Sequence, residues 1–90
     1  MQVHITIIVK GKVQGVYYRA SAKQKAEELG IGGFAQNLPD GSVLIEAEGD
    51  ETALKEFMDW CRTGPKHAKV SEVKSVSGEK VGYAIFEIRR

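Results

Sequence analysis

Cysteine is nearly absent from this chain of 90 residues, which contains only Cys61. A single cysteine cannot form an internal disulfide. Together with two separated histidines, His4 and His67, it offers too few ligands at a suitable spacing for a metal site. We therefore expect a cytoplasmic protein that needs no structural metal.

Long apolar segments are also lacking. The longest uncharged apolar run covers residues 5–9 and includes Thr6, so it is far too short to cross a bilayer. The first residues do not combine a basic segment with an apolar one, as a signal peptide would. We expect neither a leader nor a membrane partner.

Acidic residues are missing from the first 26 positions, which sum to +5, whereas the remaining 64 sum to −4. The net charge of +1 argues against a nucleic-acid partner. The uneven distribution can still create a local positive field that suits a small anion. Simple solvation of this end by lysines explains the charges equally well.

The overall composition is that of an ordinary globular protein, with 42% hydrophobic and 28% charged residues. Intrinsic disorder is therefore excluded as the default. The length suits one hydrophobic core, so we expect a single domain over residues 1–90.

Apolar periodicity predicts the first four elements. Residues 3–9 alternate as a strand, and the spacing of Ala22, Ala26 and Leu29 predicts a helix over 19–29 that ends at Gly30. Strands are predicted at 34–38 and 42–48, with a turn at the Pro-Asp-Gly sequence between them.

A second helix and two strands complete the pattern. Asp50 is suited to cap a helix that stops at Gly64-Pro65, and 70–76 is an irregular strand in which we expect a bulge. Ala84, Phe86 and Ile88 alternate as a short last strand. The order β-α-β-β-α-β plus an extra strand predicts an α+β, ferredoxin-like split βαβ sandwich. We expect an antiparallel sheet with both helices on one face.

The segment between the first strand and the first helix is a candidate anion site. Gly15 allows unusual backbone angles, so successive N–H groups can point at one centre near the helix start. Those N–H groups have no partner within the helix, and Arg19 adds a fork that suits phosphate oxygens. The alternative is an ordinary glycine loop with Arg19 on the surface.

Two stretches resemble the signatures of the acylphosphatase family. Residues 11–19 read GKVQGVYYR and resemble the first signature, while 33–37 read GFAQN and, with Gly41, Val43 and Gly49, resemble the second. The predicted order of elements is similar to that family over nearly all of the chain. Phe34 and Ala35 stand where many members have tryptophan and valine, and tyrosine stands at 17 or 18 where many have phenylalanine. The chain also ends without the terminal aromatic residue of some members.

The resemblance implies hydrolysis of the carboxyl–phosphate bond of acyl phosphates, giving a carboxylate and inorganic phosphate. It implies that Arg19 binds the phosphate oxygens and that Asn37 positions the attacking water. It also implies that backbone N–H groups of one loop cradle the phosphate: Gly15, Val16, Tyr17, Tyr18 and Arg19. Inorganic phosphate should then compete with the substrate. A phosphate- or carbamoyl-phosphate-binding accessory module without turnover is the alternative.

The proposed reaction needs few groups. A carboxylate leaves without protonation, so no general acid and no cofactor are required, and catalysis consists of positioning and charge stabilisation. Neither motif contains a base, so we expect the bound phosphate itself to accept the proton of the water. Taken alone, Asn37 is more typical of a turn residue before Pro-Asp-Gly than of a catalytic residue.

The other candidate residues favour structural roles. Cys61 lies on an apolar helical stripe and is expected in the core, while His4 and His67 are expected at the surface. Of Tyr17 and Tyr18, we expect one in the core and one supporting the loop. An RNA-binding ferredoxin-like domain would need exposed aromatic residues on the central strands, which carry aliphatic ones instead. We expect a monomer.

Overall fold

Residues 1–90 are described by a computed structural model, and they form seven elements in the predicted order. The elements are β1 (Gln2–Lys12), α1 (Tyr18–Leu29), β2 (Gly32–Asn37), β3 (Val43–Asp50), α2 (Glu51–Thr63), β4 (Lys69–Gly78) and β5 (Phe86–Arg89). The ferredoxin-like α+β class is confirmed.

The five strands form one sheet in the order β4-β1-β3-β2-β5. The first four strands are antiparallel to their neighbours, but β5 runs parallel to β2. The sheet is therefore mixed, and the expectation of a wholly antiparallel sheet is wrong in this respect. Alternation of Phe86 and Ile88 predicts a strand, whereas its direction is set by the path of residues 79–85 from one edge of the sheet to the other.

The core lies between the helices and one face of the sheet. On that face Ile7 of β1 pairs with Ile45 of β3, and both are fully buried. Ala22 and Ala26 of α1 are also fully buried, and their small side chains permit a close approach to the sheet. From α2 the core receives Leu54, Phe57 and Cys61. The expectation of a buried Cys61 is confirmed.

The helix ends follow the local signals in the sequence. Gly30 has a φ of 70° and donates its N–H to the carbonyls of Ala26 and Glu27 at the end of α1. Asp50 caps α2 by accepting the N–H of Thr52 at 3.1 Å. Gly64 ends α2 with a φ of 68°. Neither helix has the length and apolar character that a membrane-spanning segment needs.

A bulge interrupts the pairing of β1 with β4. Lys10 pairs with Glu72 and Gly11 pairs with Val70, which leaves Ser71 as the extra residue of β4. A Cβ atom on Gly11 would lie 2.2 Å from the carbonyl oxygen of Lys69, so only glycine fits there. The predicted irregularity of the 70–76 strand is confirmed, and β1 extends beyond its predicted end to Lys12.

His4 is buried, with 5% of its surface exposed, so its expected surface position is wrong. Its Nδ1 lies 2.7 Å from Glu48 Oε2, and its Nε2 lies 2.5 Å from Glu46 Oε1. Burial lowers the pKa of His4, but its hydrogen bonds to Glu48 and Glu46 outweigh that effect and raise the pKa. These partners are more than 40 residues away in sequence, beyond the reach of a local pattern. His67 is exposed, as expected.

His4, Glu46 and Glu48 form a polar cluster. Within it, Glu48 holds the segment before β5 in place. Its carboxylate is 5% exposed and accepts the backbone N–H groups of Val81, Gly82 and Tyr83. Burial raises the pKa of Glu48, but the hydrogen bonds from these N–H groups and from His4 lower it to about 2. The ring of Tyr83 stacks near His4, with centroids 6.0 Å apart.

Candidate active site

Three strands that run in the same direction end beside the start of α1. They are β1, β2 and β5, and a pocket of about 410 Å³ lies at their carboxyl ends. Its walls are formed by Val13, Gly15, Tyr17, Tyr18, Arg19, Ala20, Asn37, Ile88 and Arg90. The topology thus brings both predicted catalytic residues, Arg19 and Asn37, to one pocket.

The loop between β1 and α1 leaves its N–H groups available. Gly15 has a φ of 75° and Tyr17 has a φ of 62°, so the backbone turns sharply twice before α1 begins at Tyr18. No hydrogen bond within the protein engages the N–H groups of residues 15–19. Such free donors at a helix N-terminus favour an anion.

Arg19 places an unpaired cation at the same point. Its Nη1 donates to the carbonyl oxygen of Arg89 at 2.9 Å, and it takes part in none of the ion pairs. The first turn of α1 contains no acid, so the helix dipole and the guanidinium add positive potential in one place. A bound dianion would satisfy both.

Asn37 is the last residue of β2 and lines the same pocket. Its Oδ1 atom is buried and has no hydrogen-bond partner. Buried polar atoms in folded proteins are nearly always paired, so an isolated acceptor in a pocket marks a place where a donor such as water can bind.

The side chains of Gln14 and Tyr18 hold the loop in place. The sequence motifs assigned no role to Gln14. Gln14 Nε2 donates to the carbonyls of Leu38 at 2.8 Å and Ser42 at 2.9 Å, which ties the loop to the turn after Asn37. Tyr18 is 1% exposed and donates its hydroxyl to the carbonyl of Cys61 at 2.8 Å. Burial raises the pKa of this phenol. Tyr18 is thus the core tyrosine that the sequence predicts.

The larger pocket of the molecule lies elsewhere. It measures about 690 Å³, lies between β1, β4 and α2, and is lined by residues such as Leu54, Met58 and Arg62. It contains none of the predicted site residues, and its Arg62 is paired with Asp59. No three His, Cys, Asp or Glu side chains are grouped so that they could hold a metal ion.

Fold and pocket together define a ferredoxin-like domain with a pocket between a strand and a helix. The family model described as acylphosphatase matches residues 5–88. An acylphosphatase from Marinobacter nauticus is 58% identical over 67 residues, which cover 74% of this chain and 73% of that protein. One from Deinococcus radiodurans is 45% identical over 84 residues, covering 93% and 97%.

A solved structure agrees with these sequence relatives. The structure of an acylphosphatase from Coxiella burnetii superimposes with a TM-score of 0.95 at 36% identity, covering 98% of this chain and 93% of that one. The chain belongs to the acylphosphatase family, as its two motifs predict, and is therefore an enzyme of the hydrolase class.

Proposed function

We propose that this protein hydrolyses small acyl phosphates at the pocket formed by Arg19, Asn37 and the loop of residues 15–19. A water oxygen forms a bond to phosphorus while the bond from phosphorus to the acyl oxygen breaks. The products are a carboxylate and inorganic phosphate. The observation that carries the proposal is the presence, in one pocket, of free N–H donors, an unpaired guanidinium and an unpaired buried carbonyl.

The loop and Arg19 bind the phosphate in this mechanism. Fixed N–H dipoles and a guanidinium stabilise the equatorial oxygens, on which charge is spread in phosphoryl transfer. They require no rearrangement at the moment of reaction, because the backbone of Gly15 and Tyr17 is already turned and Gln14 holds the loop against the β2–β3 turn.

Asn37 orients the nucleophile. Its free Oδ1 accepts one hydrogen of the water, which directs the water oxygen toward phosphorus. No Asp, Glu or His side chain lines the pocket, so the protein presents no side-chain general base there. The proton of the water therefore passes to a non-bridging oxygen of the phosphate.

The leaving carboxylate is stable as an anion and needs no proton. Neither a general acid nor a cofactor has a task in this sequence of bond changes. Inorganic phosphate, which carries the same oxygens as the bound group, is a product and a competitive ligand of the loop.

The direct test is phosphate release from acetyl phosphate by the wild type and by Arg19→Ala, with EDTA present. We expect turnover by the wild type and a loss of at least 10²-fold in kcat/KM in the variant, as for other charge-stabilising donors. Arg62→Ala is the matched control, since this arginine pairs with Asp59 outside the pocket and should leave the rate unchanged. Inhibition by inorganic phosphate should be competitive in the wild type and weaker in Arg19→Ala.

Other outcomes would contradict the proposal in different ways. A folded wild type that binds phosphate without turnover would indicate the non-catalytic binding module. Turnover that EDTA abolishes would contradict the cofactor-free mechanism. A rate that saturating phosphate leaves unchanged would contradict the loop as the binding site.

We further propose that the enzyme acts as a monomer in the cytoplasm. The pocket is completed by residues of one chain, and the single cysteine is free and buried. Sedimentation equilibrium should give a mass near 9.9 kDa, and a dimer would contradict this part of the proposal.

A further inference from the structure

The two parts of the proposed site lie far apart in the sequence. The loop of residues 15–19 follows β1, whereas Asn37 ends β2 and is followed by the turn of residues 38–42. The reaction depends on the separation of the two parts, since a misplacement of about 1 Å can lower a rate roughly 10²-fold. The molecule therefore needs a contact that holds the loop and the turn at a fixed separation.

The side chain of Gln14 supplies that contact. Gln14 is half-buried, and its Nε2 atom has two hydrogens. One is donated to the carbonyl of Leu38 at 2.8 Å and the other to the carbonyl of Ser42 at 2.9 Å. No other hydrogen bond joins residues 13–19 to residues 37–42. Gln14 is thus the hydrogen-bonded bridge between the loop and the turn.

The turn does not need Gln14 to keep its own shape. Leu38 donates its N–H to the carbonyl of Ser42 at 2.9 Å, and Gly41 donates its N–H to the carbonyl of Leu38 at 3.1 Å. Asp40 accepts the N–H of Ser42 at 2.9 Å. Both carbonyls that Gln14 reaches therefore have a second donor, and loss of Gln14 leaves neither of them unpaired. What the Gln14 amide adds is the position of the turn relative to the loop.

We propose that Gln14 is a positioning residue for the hydrolysis and acts through Asn37. This proposal rests on the proposed function. Gln14 directly precedes Gly15 and Leu38 directly follows Asn37, so the amide fixes the distance between the bound phosphate and the water that Asn37 orients. Gln14 governs turnover rather than phosphate binding, because the phosphate is held by the loop and by Arg19.

The test measures kcat for acetyl phosphate and the inhibition constant of inorganic phosphate in Gln14→Met. Methionine has a similar length but no donor. We expect kcat to fall roughly 10- to 100-fold, as for a small misplacement, while the inhibition constant stays within about twofold. Gln36→Met is the matched control, because Gln36 is also half-buried but donates only to the carbonyl of Arg90. It should leave both values unchanged.

A second background shows whether Gln14 acts through Asn37. The oriented water is lost in Asn37→Ala, so adding Gln14→Met there should lower kcat by less than about threefold. Gln14→Asn, which retracts the amide from the turn by one methylene, should give the same results as Gln14→Met. Equal losses of kcat with and without Asn37, or a rise in the inhibition constant parallel to the loss of kcat, would assign Gln14 to loop shape and overturn the proposal.

This proposal and the proposed function fail in different ways. A wild type that does not hydrolyse acetyl phosphate would refute the proposed function. A wild type that does, together with an unchanged kcat in Gln14→Met, would leave the proposed function intact and overturn the role of Gln14.

Discussion

The buried Oδ1 atom of Asn37 has no partner in the protein, and the stability of the fold does not explain why it is there. A buried oxygen that pairs with no protein group costs a folded protein about 1–3 kcal/mol unless water pairs with it. The position would be easier to fill with an apolar residue. A polar atom kept unpaired in a pocket is the pattern of a group that pairs only when substrate and water are present.

Truncation of Asn37 should therefore separate activity from stability. Asn37→Ala should lower kcat for acetyl phosphate on the order of 10²–10³-fold, the usual effect of losing one positioning group. Its free energy of unfolding in urea should change by less than about 1 kcal/mol, since the loss of packing is offset by removal of the unpaired oxygen. A large loss of stability with kcat intact would assign Asn37 to the turn alone.

A carboxylate at the same place tests the route of the proton. Asn37→Asp should be slower than the wild type, because a negative charge beside the phosphate opposes binding and the phosphate already accepts the proton. The pH profile of kcat should show no gain in rate as this carboxylate ionises. Faster turnover with an additional carboxylate pKa would mean that the natural enzyme lacks a base it could use.

At the scale of elements, the two glycines that end the helices share a positive φ but differ in ψ and in their surroundings. Gly30 has a φ of 70° and a ψ of 31°, whereas Gly64 has a φ of 68° and a ψ of −169°. A Cβ on Gly30 would meet nothing within 4 Å, whereas one on Gly64 would lie 2.8 Å from Cε2 of Tyr18. Gly64 thus makes room for the tyrosine that anchors the start of α1 and the loop before it.

These glycines predict different costs of substitution. Gly30→Ala should lower the free energy of unfolding by about 1 kcal/mol, the effect of the left-handed helical backbone. Gly64→Ala should lower it by about 2–4 kcal/mol, because its backbone conformation is open almost only to glycine and Tyr18 must also move. Urea unfolding measures both, and equal losses would contradict the special role of Gly64.

The elements that the sequence predicts are those with local causes. The spacing of Ala22 and Ala26, the cap at Asp50 and the stop at Gly64 each act within a few residues, and all are confirmed. The direction of β5 and the burial of His4 depend on partners more than 30 residues away, and local patterns could not supply them. The motifs predicted which residues meet in the pocket, but not that Gln14 fastens the loop. Their catalytic roles stay predictions.

Across the whole molecule, acidic side chains are common, but none of them lines the pocket. The acid-free first 26 residues supply Arg19 and the loop proposed to bind phosphate, while the carboxylates of Glu46 and Glu48 lie on the other face of the sheet around His4. Negative charge is thereby kept away from the pocket. The Glu48 carboxylate also holds residues 81–83, which lead into β5 and its pocket residue Ile88.

The shifted pKa values of Glu48 and His4 predict how the free energy of unfolding depends on pH. The pKa of Glu48 falls from 4.5 to about 2 on folding, so its contribution is complete above pH 4.5 and is lost as the pH falls toward 2. The pKa of His4 is raised above 6.5, so its contribution is complete below pH 6.5 and is lost as the pH rises through the higher value. Urea unfolding should therefore show greatest stability between these limits.

Substitution of Glu48 tests whether this carboxylate causes the loss of stability at acidic pH. Glu48→Gln should lower the free energy of unfolding near pH 6 by about 2–4 kcal/mol and flatten its decline below pH 4.5, because charge-assisted hydrogen bonds are lost. Glu72→Gln, at an exposed pair with Lys74, is the control and should change little. An unchanged decline in the free energy of unfolding below pH 4.5 in Glu48→Gln would contradict this explanation.

The central claim is that backbone N–H groups and one guanidinium hold the phosphate. It is tested most directly by titrating inorganic phosphate into labelled protein and following the backbone amides by NMR. We predict that the largest shifts occur at residues 15–19 and that they disappear in Arg19→Ala. Shifts concentrated instead around Lys55 and Arg62 of the larger pocket, or no saturable shifts at all, would contradict the account.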